Sequence, residues 1–183
     1  MAKAISKRFR KFTRKAKNHC GFNKIKKEIK KAQKETNGIT DYKITSLLKC
    51  SDSFLGCFAE NELSFTISFP LYFIVNTDRS DMAGSHWLAI GIFKDNVEIF
   101  DPLGFDIFNW SRVPSHLLNF LHRLSVSRKI TVLKRVQSDS STLCGFYAIF
   151  YVLFRPLNSF KTLEKLFDSD LDKNDYSLIN LFS

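Results

Sequence analysis

Cysteine is scarce in this chain: Cys20, Cys50, Cys57 and Cys144 are the only four in 183 residues. Their number and irregular spacing exclude a secreted disulfide framework and make reduced thiols the default expectation. Cys50 and Cys57 lack the close spacing and the second Cys/His pair of a zinc site, and His116 and His122 are poorly spaced to share one helical face, so no metal is expected. The acidic stretch "DSDLDKND" resembles caps and turns, with at most a weak cation site. No apolar run nears the roughly 20 residues of a membrane span, and the N-terminus has no apolar signal core. A nuclear or cytosolic compartment, without membrane attachment or secretion, is the expectation. Glycine-rich phosphate loops and a G-x-S-x-G elbow are absent, which removes two large enzyme classes.

Acidic residues are nearly missing from the first 34 positions, where Glu28 stands alone against 14 basic side chains, for a charge of +13. Residues 35–183 carry 14 basic and 17 acidic side chains, or −3, so the net +10 belongs to the N-terminal segment. We divide the chain into a basic arm, 1–38, partly helical or disordered, and a folded domain, 39–183. Lys7, Arg8, Arg10, Lys11, Arg14, Lys15, Lys17, Lys24, Lys26, Lys27, Lys30 and Lys31 are the candidate polyanion contacts, since clustered cations release counterions from a phosphate backbone. Nuclear import and a merely solvated tail are the other readings of the same residues.

What the chain has in quantity is apolar bulk: 44% hydrophobic residues and 19 phenylalanines, enough for a sizeable core. The arm's second half reads as a lysine-rich helix ended by Asn37-Gly38. "TDYKITSLLKC" has helical spacing with Thr40 or Asp41 as N-cap. "FLGCFAENEL" reads as turn and loop, and "SFTISFPLYFIVNT" as extended chain that Pro70 interrupts or marks as an edge. "HWLAIGIF" and "NVEIFDP" form a hairpin around Lys94-Asp95-Asn96. An amphipathic helix, "VPSHLLNFLHRLSVSR", and a strand, "KITVLKRVQ", follow. "LCGFYAIFYVLF" is apolar on all sides, as a central buried helix must be, and Pro156 ends it. "SFKTLEKLF" is a last short helix, and the remaining tail is polar with a few apolar anchors. The class is α+β: a central mixed or antiparallel sheet flanked by helices.

The chemistry concentrates in four residues. Cys144 falls at the first turn of the buried helix, where backbone N–H groups and the dipole favour a thiolate; a structural cysteine is the bland alternative. His86 opens the first hairpin strand and Asp101 closes the second, so both return to one edge of the sheet. There a carboxylate can orient an imidazole, which in turn deprotonates a thiol. A turn centred on Asp95-Asn96 would pair Asp101 with Ile90, about 13 Å along the strand from His86, so a bulge, another register or strong twist must close the gap. Asp106 is the rival carboxylate. Gln137, seven residues before Cys144, can offer its amide to an oxyanion beside the Cys144 N–H.

The ordered set "GSHWLAIGIF", "VEIFDPLGF" and "VQSDSSTLCGFYAIF", with "FLGCF" and "FIVNT" before it, resembles the adenovirus endopeptidase family within the wider clan of SUMO and ubiquitin-like proteases. The resemblance implies Cys144 as nucleophile, His86 as base, Asp101 as third member and Gln137 as oxyanion donor, on a sheet flanked by helices. It also implies cleavage of viral capsid and core precursors at glycine-containing sites, in host nucleus and virion or cytoplasm. DNA and an activating peptide are its implied cofactors, whereas the residues themselves require none. Aspartate replaces the family's frequent glutamate, the C-terminal portion is shorter, and the arm has no counterpart, so the chain looks like a relative from a virus-like DNA transposon or small DNA virus. A ubiquitin-like isopeptidase, and a non-catalytic DNA-packaging protein on a decayed protease fold, are the alternatives.

Overall fold

The computed structural model describes residues 21–35, 38–64, 69–104 and 113–182. Five strands make one mixed sheet in the order β1 Phe54–Ala59, β2 Leu71–Asn76, β3 Trp87–Ile92, β4 Asn96–Phe100 and β5 Lys129–Val132. The outer pairs, β1/β2 and β4/β5, run parallel, and the inner two are antiparallel. Among the described residues, six helices accompany them: α1 Phe22–Glu35, α2 Asp41–Leu48, α3 Ser115–Ser125, α4 Cys144–Phe154, α5 Phe160–Glu164 and α6 Leu171–Leu181.

Alternation along the strands sorts the two faces. Leu71, Phe73 and Val75 of β2, with Leu88, Ile90 and Ile92 of β3, pack with Leu117, Phe120, Leu121 and Leu124 of α3. Tyr72, Ile74, Ala89 and Phe100 point the other way, toward α4. Every residue of α4 is buried, which fits its all-round apolar sequence. Its far end is tied to the sheet by a buried acid: Tyr151 Oη donates to Glu98 Oε2 at 2.8 Å, and Arg155 Nε and Nη2 donate to Oε2 and Oε1 at 2.6 and 2.9 Å. Such a forked pair in a water-poor site fixes both distance and orientation.

Several expectations need correction. "FLGCFA" is strand β1 rather than loop, followed by a short 3-10 turn at Glu60–Glu62. Its residues are mostly half-buried and its register shifts between Phe54 and Gly56, so the two-residue periodicity is blurred. The polar tail is helix α6, capped by Asp170, whose side chain accepts the Lys173 N–H at 3.2 Å. Its inward face includes Asn174 and Ser177 beside Leu178 and Leu181, and buried polar residues hide an apolar stripe. Cys50 is disulfide-bonded, against the expectation of reduced thiols, while Cys57 and Cys144 are free.

The arm divides at its helix. Lys7, Arg8, Arg10, Lys11, Arg14, Lys15 and Lys17 lie outside the described residues. Helix α1, by contrast, packs into the main core through Phe22, Ile25 and Ile29, each 5% exposed or less. Phe22 meets the Phe182 ring at 5.8 Å, and Glu28 pairs with Lys43 of α2 at 2.8 Å. Lys24, Lys27, Lys30 and Lys31 remain exposed and Lys26 half-buried. Replacing Ile25 with Ala should therefore lower the unfolding free energy by about 2–5 kcal/mol, whereas Lys27→Ala should stay within roughly 0.5 kcal/mol. Thermal melting of the two variants checks this: equal melting temperatures would mean that α1 contributes nothing to the core.

Candidate active site

The hairpin register decides whether the histidine and the aspartate can meet. Ala89 pairs with Phe100 and Ile92 with Val97, and Phe93 N–H donates to Asn96 O at 2.8 Å across the turn. The tip is thus Lys94-Asp95, one residue earlier than the expected centre, and an antiparallel register moves by two residues for each residue at the turn. Continued outward, it sets Asp101 beside Leu88, only about 7 Å along the strand from His86. The side chains span the rest: His86 Nε2 and Asp101 Oδ1 are 2.7 Å apart, and both are largely buried. Asp106, the rival carboxylate, lies outside the described residues.

The turn after β4 holds the carboxylate still. In Asp101-Pro102-Leu103-Gly104, Leu103 N–H donates to Asp101 Oδ1 at 2.9 Å and Gly104 N–H to Asp101 O at 3.0 Å. Proline at the second position and a positive-φ glycine at the fourth, φ 89°, suit this turn. Pro102 O also accepts the N–H groups of Val136 and Gln137, each at 2.9 Å, so the same turn carries the Asp101 carboxylate and the Gln137 backbone. The Gln137 side chain is 1% exposed and donates Nε2–H to Ser141 O at 2.7 Å, while its Oε1 is buried without a partner.

Cys144 is the first residue of α4 and is 8% exposed. The first N–H groups of a helix have no partner within it and point toward its N-terminal end, where Cys144 stands. Gly145 is required by packing: a Cβ there would overlap Ile39 Cγ2 and crowd Trp87 Cδ1 at 3.2 Å. Ile39 O in turn accepts Trp87 Nε1–H at 2.9 Å. Residues 38–40, which lead into α2, thereby form a wall of the site, a role that the sequence reading, which ended the arm there, missed. His86, Gln137 and Cys144 line one cleft of about 580 Å³, together with Ile39, Asn76 and Trp87.

Burial opposes charge on His86, but the Asp101 and Cys144 side chains, through hydrogen bonding and charge, raise its pKa from 6.5 to about 9. The structure thus brings together all four residues singled out from the sequence. Residues 54–170 match the sequence model of the adenovirus endoprotease.

The chain belongs to the adenovirus endoprotease family. As a member it is a cysteine peptidase with an α+β fold, as expected from its motifs. Among solved structures, the selenomethionine form of the ASFV protease is 16% identical with a TM-score of 0.45, covering 78% of this chain and 67% of that one. No curated protein matches this peptidase.

A histidine whose pKa is raised on folding stabilises the folded state fully below its unfolded pKa and loses that contribution as pH rises through the folded one. The stabilisation from His86 should accordingly be complete below about pH 6.5 and gone above about 9. Melting temperatures of the parent should fall across that window, and those of Asp101→Asn should fall less. Parallel curves would separate the carboxylate from the charge on the ring.

Proposed function

We propose that this peptidase is an endopeptidase in which Cys144 is the nucleophile, His86 the general base, Asp101 the group that orients and charges His86, and Gln137 an oxyanion donor. The observation that carries the reading is convergence: an acid–imidazole pair at 2.7 Å stands at one cleft with the thiol at a helix start. Asp101 occupies Nε2 of the ring, which leaves Nδ1 for the thiol. A protonated ring beside sulfur favours the thiolate.

The thiolate attacks the peptide carbonyl, and the oxyanion is met by the Cys144 N–H and the second Nε2–H of Gln137. His86 gives its proton to the leaving amine, and the carbonyl stays on sulfur as a thioester. Water, giving a proton to the same ring, then cleaves the thioester and restores the thiolate beside the protonated ring. Glycine-containing sites in viral or virus-like capsid and core precursors are the substrates we propose, on the strength of the family match, with host nucleus and virion as the setting.

Cys144→Ala should abolish cleavage of glycine-containing peptides, and a thiolate-directed reagent should modify Cys144 far faster than Cys57, whose thiol pKa burial pushes to about 12. Retained cleavage would remove the nucleophile, and release of a diglycine-ended modifier in place of internal cleavage would make the chain an isopeptidase.

DNA attachment through the basic segment is the second half of the proposal, supported by the exposed lysines of α1 and the charge of +13 over residues 1–34. Deleting α1 would break the core, so the charges themselves are the variables to change. Neutralising Lys24, Lys27, Lys30 and Lys31 to Gln should flatten the salt dependence of DNA binding by up to about 0.9 in slope for each phosphate that the helix no longer neutralises. An unchanged slope would take this helix out of the interface.

A further inference from the structure

The loop from Gln137 to Leu143 has no helix or strand of its own, yet it carries the proposed oxyanion amide at one end and delivers the nucleophile at the other. Such a loop needs outside fixation if an amide is to stay aimed to within a fraction of an ångström. Besides the Pro102 carbonyl and Arg135, which hold its first residues, its fixing comes from helix α6, through two consecutive side chains.

Asn174 Nδ2 donates to Val136 O at 3.0 Å, just before the loop. Asp175 takes two donors, Tyr147 Oη to Oδ1 at 2.7 Å and Ser138 N–H to Oδ2 at 3.4 Å, and the Ser141 hydroxyl is near enough to favour its ionised form. Ser141 is the pivot. Its hydroxyl oxygen accepts Leu143 N–H at 3.3 Å, and its carbonyl oxygen accepts the Gln137 amide at 2.7 Å. Tyr147 lies one turn after Cys144 on α4, and its hydroxyl also sits 3.3 Å from Val136 O. One carboxylate therefore ties together the start of the loop, the residue that holds Gln137, and the helix that presents the sulfur.

We propose that Asp175 is a positioning residue for the oxyanion side of the site, acting through the Ser138 N–H, the Tyr147 hydroxyl and Ser141 to hold the loop that carries the Gln137 amide. The proposal rests on the reading of Gln137 and Cys144 given above. Burial raises the Asp175 pKa, and the bonds from Tyr147, Ser141 and the Ser138 N–H work against that rise, as expected of donors aimed at the ionised form. His86 and Asp101 have their own support in the β3–β4 hairpin and the Leu103 N–H, neither of which touches Asp175, so the base should keep its place when this carboxylate is lost.

The variant Asp175→Asn keeps the size of the side chain but replaces one acceptor with a donor, which opposes Ser138 N–H or the hydroxyls. Ser141→Ala removes the pivot hydroxyl with the least disturbance to packing. Each should lower kcat on a glycine-containing peptide by on the order of tenfold or more with KM within about twofold. The rate of Cys144 alkylation by iodoacetamide should stay unchanged, because that reaction needs the thiolate and no oxyanion donor.

Unchanged kcat in Ser141→Ala and Asp175→Asn would overturn the role. A parallel fall of kcat and alkylation rate would also overturn it, by assigning the carboxylate to the fold. If Asp175→Asn does not fold, the Ser141→Ala result decides alone. Gln137→Ala, measured alongside, separates the two layers: full activity there defeats the reading of Gln137, whereas lost activity there with full activity in Asp175→Asn defeats only the positioning role.

Discussion

Eleven consecutive buried residues leave α4 with no face for water, so the helix has to be enclosed on every side, and the rest of the chain is arranged to do so. The sheet covers one side with Tyr72, Ile74, Ala89 and Phe100. Helices α1, α2, α5 and α6 close the others with Ile25, Ile29, Leu47, Leu163 and Leu178. Because the far end is clamped by Glu98 through Tyr151 and Arg155, the near end cannot slide. Cys144 is therefore held at the edge of the sheet where β3 begins and β4 ends.

That edge is also where the energetics of the site are balanced. Taking an imidazole out of water disfavours its charged form, and a lone buried histidine would be neutral. Asp101 at 2.7 Å and the neighbouring Cys144 reverse the outcome and hold a proton on the ring to about pH 9. The Asp101-Pro102-Leu103-Gly104 turn makes this possible, since its Leu103 N–H orients the carboxylate before the histidine is considered. Through Pro102 O it carries the same order across to Gln137. Asp101, His86 and the start of the Gln137 loop are thus positioned by one short turn and the hairpin that leads into it.

Elements with a strong period were legible in the chain: the amphipathic α3, the all-apolar α4, and the hairpin strands with apolar runs on both sides of a polar turn. Two elements were not. Strand β1 is half-buried over most of its length and bulged, so it offers neither alternation nor a continuous apolar run. Helix α6 buries Asn174 and Ser177 where a stripe of leucines would normally advertise an inward face. Helix α1 was legible as a helix, but its charge concealed its packing: three apolar residues among lysines anchor it in the core, while the lysines keep the outer face wet.

By itself the sequence determined which residues can carry the chemistry, because only a few places combine a thiol, an imidazole, a carboxylate or an amide with the end of an apolar segment. It also determined the mixed class of the fold, since helical and alternating patterns occur side by side. The meeting of those groups was decided only in three dimensions. A single residue at a hairpin turn moves the opposing strand by two positions, and no local propensity distinguishes Lys94-Asp95 from Asp95-Asn96 as the tip. The packing of β2, β3 and β4 against α3 and α4 selects the register that buries the correct faces, and the 2.7 Å contact between His86 and Asp101 follows from that selection.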